Sequence, residues 1–261
     1  MSSLTVRGSV LGDRAGRATV GPRQIVAGIA TMPTRSATFT MAVDSILPQV
    51  DHLFVFFDRF AVPPAIEHPR ITCLQSANHG DLRAAGKFLG LQFCREPCLY
   101  FSIDDDVAYP PDYVVRMIDF LQSRPKPSVV GVHASLLSRP MNSYARDRRV
   151  ADRMAEVRRP WQVDVLGTDS ALFDSATLTP DVRAWRYLNM VDLQFALDAA
   201  RQGLERVIIP RPKRWLTSLA HDQPDSIFVK LQRDDSIQTQ LARELLELDT
   251  GRQSEAAADF R

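Results

Sequence analysis

Three consecutive aspartates, Asp104, Asp105 and Asp106, stand in the stretch YFSIDDDVAYPPDY, directly after a short apolar run. Like charges at this spacing repel, and burying them is costly unless a counter-charge is at hand. If the chain continues extended through them, Asp104 and Asp106 point to one side and Asp105 to the other. Two carboxylates so placed can share a hard divalent cation. Mg2+ or Mn2+ held this way keeps coordination positions open for phosphate oxygens and can act on a leaving diphosphate. The competing expectation is a solvated turn whose Asp112 caps the following helix, because a D-x-D pattern alone matches often by chance.

The elements around the triplet favour the first expectation. Residues 24–30 (QIVAGIA), 52–57 (HLFVFF), 70–74 (RITCL) and 98–103 (CLYFSI) are short apolar runs that predict buried strands, and the fourth delivers the aspartates. Helical spacing of Phe39, Val43, Ile46 and Leu47 predicts a helix with Ser36 as N-cap and Pro48 near its stop. Residues 81–94 have the composition of a helix. Pro110 and Pro111 fit the start of another, lined by Val114, Met117, Ile118 and Leu121. A strand at 128–132, a helix within 189–203 ending at Gly203, a strand at 206–210 and a closing helix at 234–248 complete the pattern. Such alternation predicts a single α/β domain with a mostly parallel sheet covered by helices, and ligands bind such sheets beyond the carboxyl ends of the strands.

Composition sets the bounds. The 261 residues are 45% hydrophobic and 24% charged, with a formal net charge of +1, so nothing global points to nucleic acid. No apolar run approaches the roughly 20 residues needed to span a bilayer. Residues 1–23 read as a polar, poorly ordered lead-in without the apolar core of a signal peptide, and 251–261 as a flexible tail. Cys73, Cys94 and Cys98 make an odd set that fits reduced thiols and a cytoplasmic location; Cys94 and Cys98 are expected on one face of a helix. Residues 139–159 carry seven arginines and three acids. They read as a solvated helix-and-loop segment, or as a mobile flap meeting an anionic acceptor or the inner face of a membrane. No phosphate-cradling G-x-x-x-x-G-K-[ST] or G-x-G-x-x-G loop is present.

Four stretches together resemble the nucleotide-sugar glycosyltransferases of GT-A fold, bacterial polysaccharide transferases most of all: ATMPTR after the first strand, ANHGDLRAAGKFLGLQ, YFSIDDDVAYPPDYV, and VLGTDSALF followed by NMVDLQFALDAARQG. The resemblance covers most of residues 24–248. It implies a GT-A-like domain over 24–250, with a donor-binding half at 24–133 and an acceptor-binding half at 134–250. Asp104 and Asp106 would hold Mn2+ or Mg2+, with His221 as a third ligand. Pro33, Thr34, Arg35, Asp58, Asn78, Lys87, Asp104 and Asp105 would bind the nucleotide-sugar donor. His133, Gly167, Thr168 and Asp169 would meet a glycan or lipid-linked saccharide acceptor.

Asp192, at the start of its helix, would be the base of an inverting transfer, taking the acceptor proton as the hydroxyl attacks the anomeric carbon. The family shows Glu-Asp where this chain has Val191-Asp192, and Asp169 stands where many relatives carry glycine. A first-turn acid favoured by the helix dipole is the plain alternative for Asp192, and a surface cation is the alternative for Lys87 and Arg35. His221 has the alternative of a surface histidine. A retaining transferase, a non-catalytic nucleotide- or glycan-binding subunit and a metal-dependent phosphohydrolase remain open beside the inverting reading.

Overall fold

A computed structural model describes residues 23–219 and 234–249. The apolar runs form β1 (Ile25–Thr31), β2 (His52–Phe57), β3 (Ile71–Gln75) and β4 (Leu99–Asp104). All four are parallel neighbours in the order β3-β2-β1-β4. Their side chains alternate between two apolar layers. Val26, Phe54, Phe56 and Tyr100 enter one; Ala27, Ile29, Leu53, Val55, Phe101 and Ile103 enter the other. A sheet buried on both faces has no polar side to show, which is why these strands read as continuous apolar runs.

β4 turns at Asp105 and Asp106 into β5 (Val107–Ala108). Further along come β6 (Ser128–Gly131), β7 (Ala134–Leu137), β8 (Arg148–Ala151), β9 (Trp161–Gln162), β10 (Val165–Leu166), β11 (Ser170–Asp174), β12 (Glu205–Ile208) and β13 (Thr217–Ser218). The main sheet continues from β4 through β11, β6 and β12 to β9. It is parallel except at β11 and β9. Beside it lie a three-stranded sheet, β10-β7-β8, and the pair β13-β5. The α/β class with a mostly parallel sheet is therefore observed. Among these strands β11 does most to shape the region around the aspartates: running antiparallel to β4, it brings its own start, Ser170, opposite Ile103 at the end of β4.

The α-helices among the described residues are α1 (Ser36–Ile46), α2 (Ser76–His79), α3 (Tyr113–Gln122), α4 (Val191–Arg201) and α5 (Ser236–Leu248). α4 and α5 seal a third apolar cluster through Leu193, Ala196, Leu197, Leu241 and Leu245. Gly203 closes α4 with φ +71°, a conformation open to glycine at little cost. No helix among the described residues is long and apolar enough to cross a membrane.

Several expectations are corrected. Ser36 is the first residue of α1 rather than its cap, because a 3-10 turn at Pro33–Arg35 precedes it, and the Ser36 hydroxyl donates to the Pro33 carbonyl. Residues Arg83–Phe93 wind as a 3-10 helix instead of an α-helix. Gly86 and Gly90 lie there directly on the rings of Phe56 and Phe54, so close approach to β2 shapes the segment more than propensity does. Cys94 and Cys98 do not share a helix: Cys94 follows this segment and Cys98 precedes β4, with their sulfurs 3.8 Å apart. The triplet does not continue extended but turns. The arginine-rich stretch holds strand β8 where a helix was expected.

Candidate functional site

The end of β4 is the centre of an ionic cluster assembled from seven parts of the chain. Asp104 pairs with Lys87, whose side chain is only 3% exposed although lysines almost always reach water. Lys87 Nζ also donates to the Thr168 carbonyl at 3.1 Å and to its hydroxyl oxygen at 3.4 Å. The Thr168 hydroxyl in turn donates to Asp192 Oδ1 at 2.6 Å, and the Thr168 amide donates to the same oxygen at 2.8 Å. A continuous path therefore runs from Asp104 through Lys87 and Thr168 to Asp192. Burial disfavours the Lys87 charge, but Asp104, with Asp192 and Asp169 behind it, outweighs burial and raises the pKa of the ammonium.

Lys87 is placed by its own backbone. Its carbonyl accepts a 2.6 Å hydrogen bond from the Tyr100 hydroxyl on β4, and both groups lie against Gly28 of β1. Removing that hydroxyl with Tyr100→Phe loses this buried hydrogen bond; the expected cost is about 0.5–1.5 kcal/mol, read by urea unfolding.

Asp106 lies between two arginines, with Arg35 NH1 3.4 Å from Oδ2 and Arg153 NH1 3.5 Å from Oδ1. Burial and the nearby Asp104 still raise its pKa. Asp105 faces the interior and is pushed up to about 7, first by burial and then by its flanking aspartates, with Thr31 and Arg35 nearby acting against the rise. Asp169 is 4% exposed in its side chain, within 3.0 Å of Arg153 Nε and 3.4 Å of His133 Nδ1. Burial opposes its charge, but Arg153 and His133 prevail and hold the carboxyl far below the usual range. His133 is correspondingly raised: burial acts against its charge and Asp169 overcomes it. The Tyr109 hydroxyl fastens the two sides, donating to the Asp169 carbonyl at 2.6 Å and accepting the Asp104 amide at 3.0 Å. Gly167 has no room for a side chain, since a Cβ would stand 2.7 Å from Asp169 Oδ1 and 2.9 Å from the His133 ring.

Among the described residues no group of three or more His, Cys, Asp or Glu side chains converges on one metal position. Asp104 and Asp106 supply two carboxylates, and Asp106 Oδ1 is buried without a hydrogen-bond partner. That is the donor chemistry a hard cation takes, the rest of its shell coming from phosphate oxygens and water. The residues fit Mg2+ or Mn2+ on this basis.

No family model matches the sequence, and no curated protein matches it. Among solved structures the chain is similar to the mannosyltransferase PcManGT from Pyrobaculum calidifontis, in complex with GDP-Man and Mn2+. The identity is 13% over 90% of this chain and 77% of that one, with a TM-score of 0.42. It is also similar to A197 from STIV, at 11% identity over 74% of this chain and 84% of that one, with a TM-score of 0.37.

The remaining residues singled out in the sequence are more scattered. Pro33 and Thr34 are exposed in the turn after β1, beside Arg35. Asp58, just past β2, is buried with Oδ1 unpaired; burial raises its pKa, and Arg59 is its nearest cation at 3.6 Å. Asn78 is exposed on α2, apart from the hydrogen bonds and ion pairs of the cluster. His221 lies outside the described residues. Two members of the cluster had no individual assignment from sequence, Arg153 and Tyr109. Arg153 was one of seven arginines with nothing local to distinguish it, and nothing in the sequence pattern assigned Tyr109 a role.

Proposed function

We propose that the chain is a divalent-metal-dependent glycosyltransferase that moves a sugar from a nucleoside diphosphate to a hydroxyl of a glycan or lipid-linked acceptor. The observation that carries this reading is the Asp104–Lys87–Thr168–Asp192 path. It joins a diphosphate-type cation site to a carboxylate placed for proton transfer. The site lies beyond the carboxyl end of a central parallel strand, where α/β sheets bind ligands.

In this reading Asp104 and Asp106 hold the cation, which when bound offsets charge on the departing diphosphate. Lys87 fixes the orientation of Asp104 and adds positive charge on the donor side. Arg35, in the turn after β1, lies on the donor side of Asp106. Thr168 occupies Oδ1 of Asp192 with two donors, so the second oxygen is left to accept the acceptor proton as the new glycosidic bond forms. A single displacement of this kind inverts the anomeric centre. The motif resemblance adds bacterial surface polysaccharide synthesis as the setting, with 24–133 as the donor half and 134–250 as the acceptor half.

Asp192→Asn is expected to leave donor affinity unchanged and to lower transfer by about 10²–10⁴-fold. Near-normal turnover would remove Asp192 as base. Retained anomeric configuration in the product, read by NMR, would move the chain to the retaining class. Thermal-shift screening against UDP, GDP, ADP and dTDP, with and without Mn2+, tests the donor class. Hydrolysis without transfer across a panel of acceptors would favour a phosphohydrolase.

A further inference from the structure

Arg153 belongs to the arginine-rich stretch expected to be solvated or mobile, yet it is built into the site. The backbone around it is tied to the segment after β12. Val157 and Arg211 exchange hydrogen bonds at 2.9 and 2.7 Å, and the Arg214 amide donates to the Met154 carbonyl at 2.8 Å. The buried Arg211 guanidinium donates to the Asp152 carbonyl, also at 2.8 Å, and so grips the peptide that leads into Arg153. Arg153 is thus delivered from a fixed strap, with its side chain 20% exposed.

Its contacts are unequal. Nε lies 3.0 Å from Asp169, whereas NH1 lies 3.5 Å from Asp106. Neither carboxylate oxygen gains a hydrogen bond: Asp106 Oδ1 and Asp169 Oδ2 are both buried without a hydrogen-bond partner. The attraction is charge alone, with no directional bond to lose when the guanidinium shifts. Asp169 does not depend on Arg153 either, since it also accepts from the Ser170 hydroxyl at 2.8 Å and has His133 beside it.

We propose that Arg153 is a donor-binding residue. Anchored at Asp169 through Nε, it offsets part of the Asp106 charge in the cation-free protein and turns its NH1 edge to a phosphate of a nucleoside diphosphate when a divalent cation takes Asp106. A dication on that oxygen repels a guanidinium only 3.5 Å away. A phosphate arriving with the cation is the anion that a guanidinium fork binds well. This inference rests on the donor reading of the same site.

Removing the charge therefore has opposite effects on two ligands. In Arg153→Gln, Mn2+ alone, followed by its free-ion EPR signal, binds tighter by about threefold or more, because a competing cation is gone. The nucleoside diphosphate, titrated by calorimetry at saturating Mn2+ with UDP, GDP, ADP and dTDP, binds weaker by about tenfold or more. Arg153→Lys keeps a charge beside Asp169 and serves if the glutamine variant folds poorly; it retains wild-type Mn2+ affinity and loses part of the nucleotide affinity. Unchanged nucleotide affinity in both variants, or Mn2+ and nucleotide affinity falling together, overturns the assignment. Wild-type protein that binds none of the four nucleotides with Mn2+ overturns the donor reading itself, and this inference with it.

Discussion

Asp106→Ala is expected to abolish Mn2+-dependent binding of nucleoside diphosphates and to lower transfer by about 10³-fold or more, while the protein melts at the same temperature or higher. The combination follows from where the carboxylate sits. Asp106 packs beside Asp104 and Asp105, is largely buried, and has one oxygen without a hydrogen bond. In the cation-free fold it contributes repulsion to its neighbours, only partly relieved by Arg35 and Arg153. Truncating it removes a strained charge and leaves Asp104 still paired with Lys87. A residue kept for structure would behave in the opposite way, with stability falling and ligand binding following it down. Calorimetry of nucleotide binding with and without Mn2+, paired with a melting curve, separates the two. Unaltered nucleotide affinity would sink the metal role of Asp106.

Gly28→Val should produce the contrasting pattern, a loss of stability of about 1–3 kcal/mol or more together with loss of nucleotide binding. A Cβ at this position in β1 would collide with the Lys87 carbonyl and the Tyr100 hydroxyl. Neither can yield cheaply. The carbonyl belongs to backbone hydrogen-bonded to Tyr100, and Tyr100 is fully buried among Phe88 and Phe173. The 3-10 segment Arg83–Phe93 must then lift from the sheet, carrying Lys87 away from Asp104. Urea unfolding reads the first effect and calorimetry the second. A variant of wild-type stability that binds nucleotide normally would show that the close contact at Gly28 is not what seats Lys87.

The two substitutions also mark how much of the site was legible in the residues. Asp104 and Asp106 were visible because three acids at the end of an apolar run conflict with local physics, and a conflict of that kind demands a partner. Asp192 was singled out by resemblance, since an acid opening an amphipathic helix has an ordinary explanation in the helix dipole. Gly28 gave no such sign: glycine in an apolar strand run breaks no rule, and only the crossing of another segment at that point makes it necessary. Lys87 was singled out by resemblance, but its burial could not be read from a lysine in a stretch of helical composition.

Strand content, the order of the first four strands along the chain and the apolar faces of the helices are local properties. They follow from side-chain periodicity, so the sequence by itself determined the α/β class and placed the aspartates at a strand end. Pairing is not local. The antiparallel insertion of β11 beside β4 decides that Thr168 and Asp169 meet Asp104. The strap between residues 152–157 and 209–214 decides which of seven arginines faces Asp106. Both depend on contacts between residues far apart in the chain, where no periodicity carries information. Only the tertiary structure could turn three repelling carboxylates into a neutralised site with a defined set of cations around it.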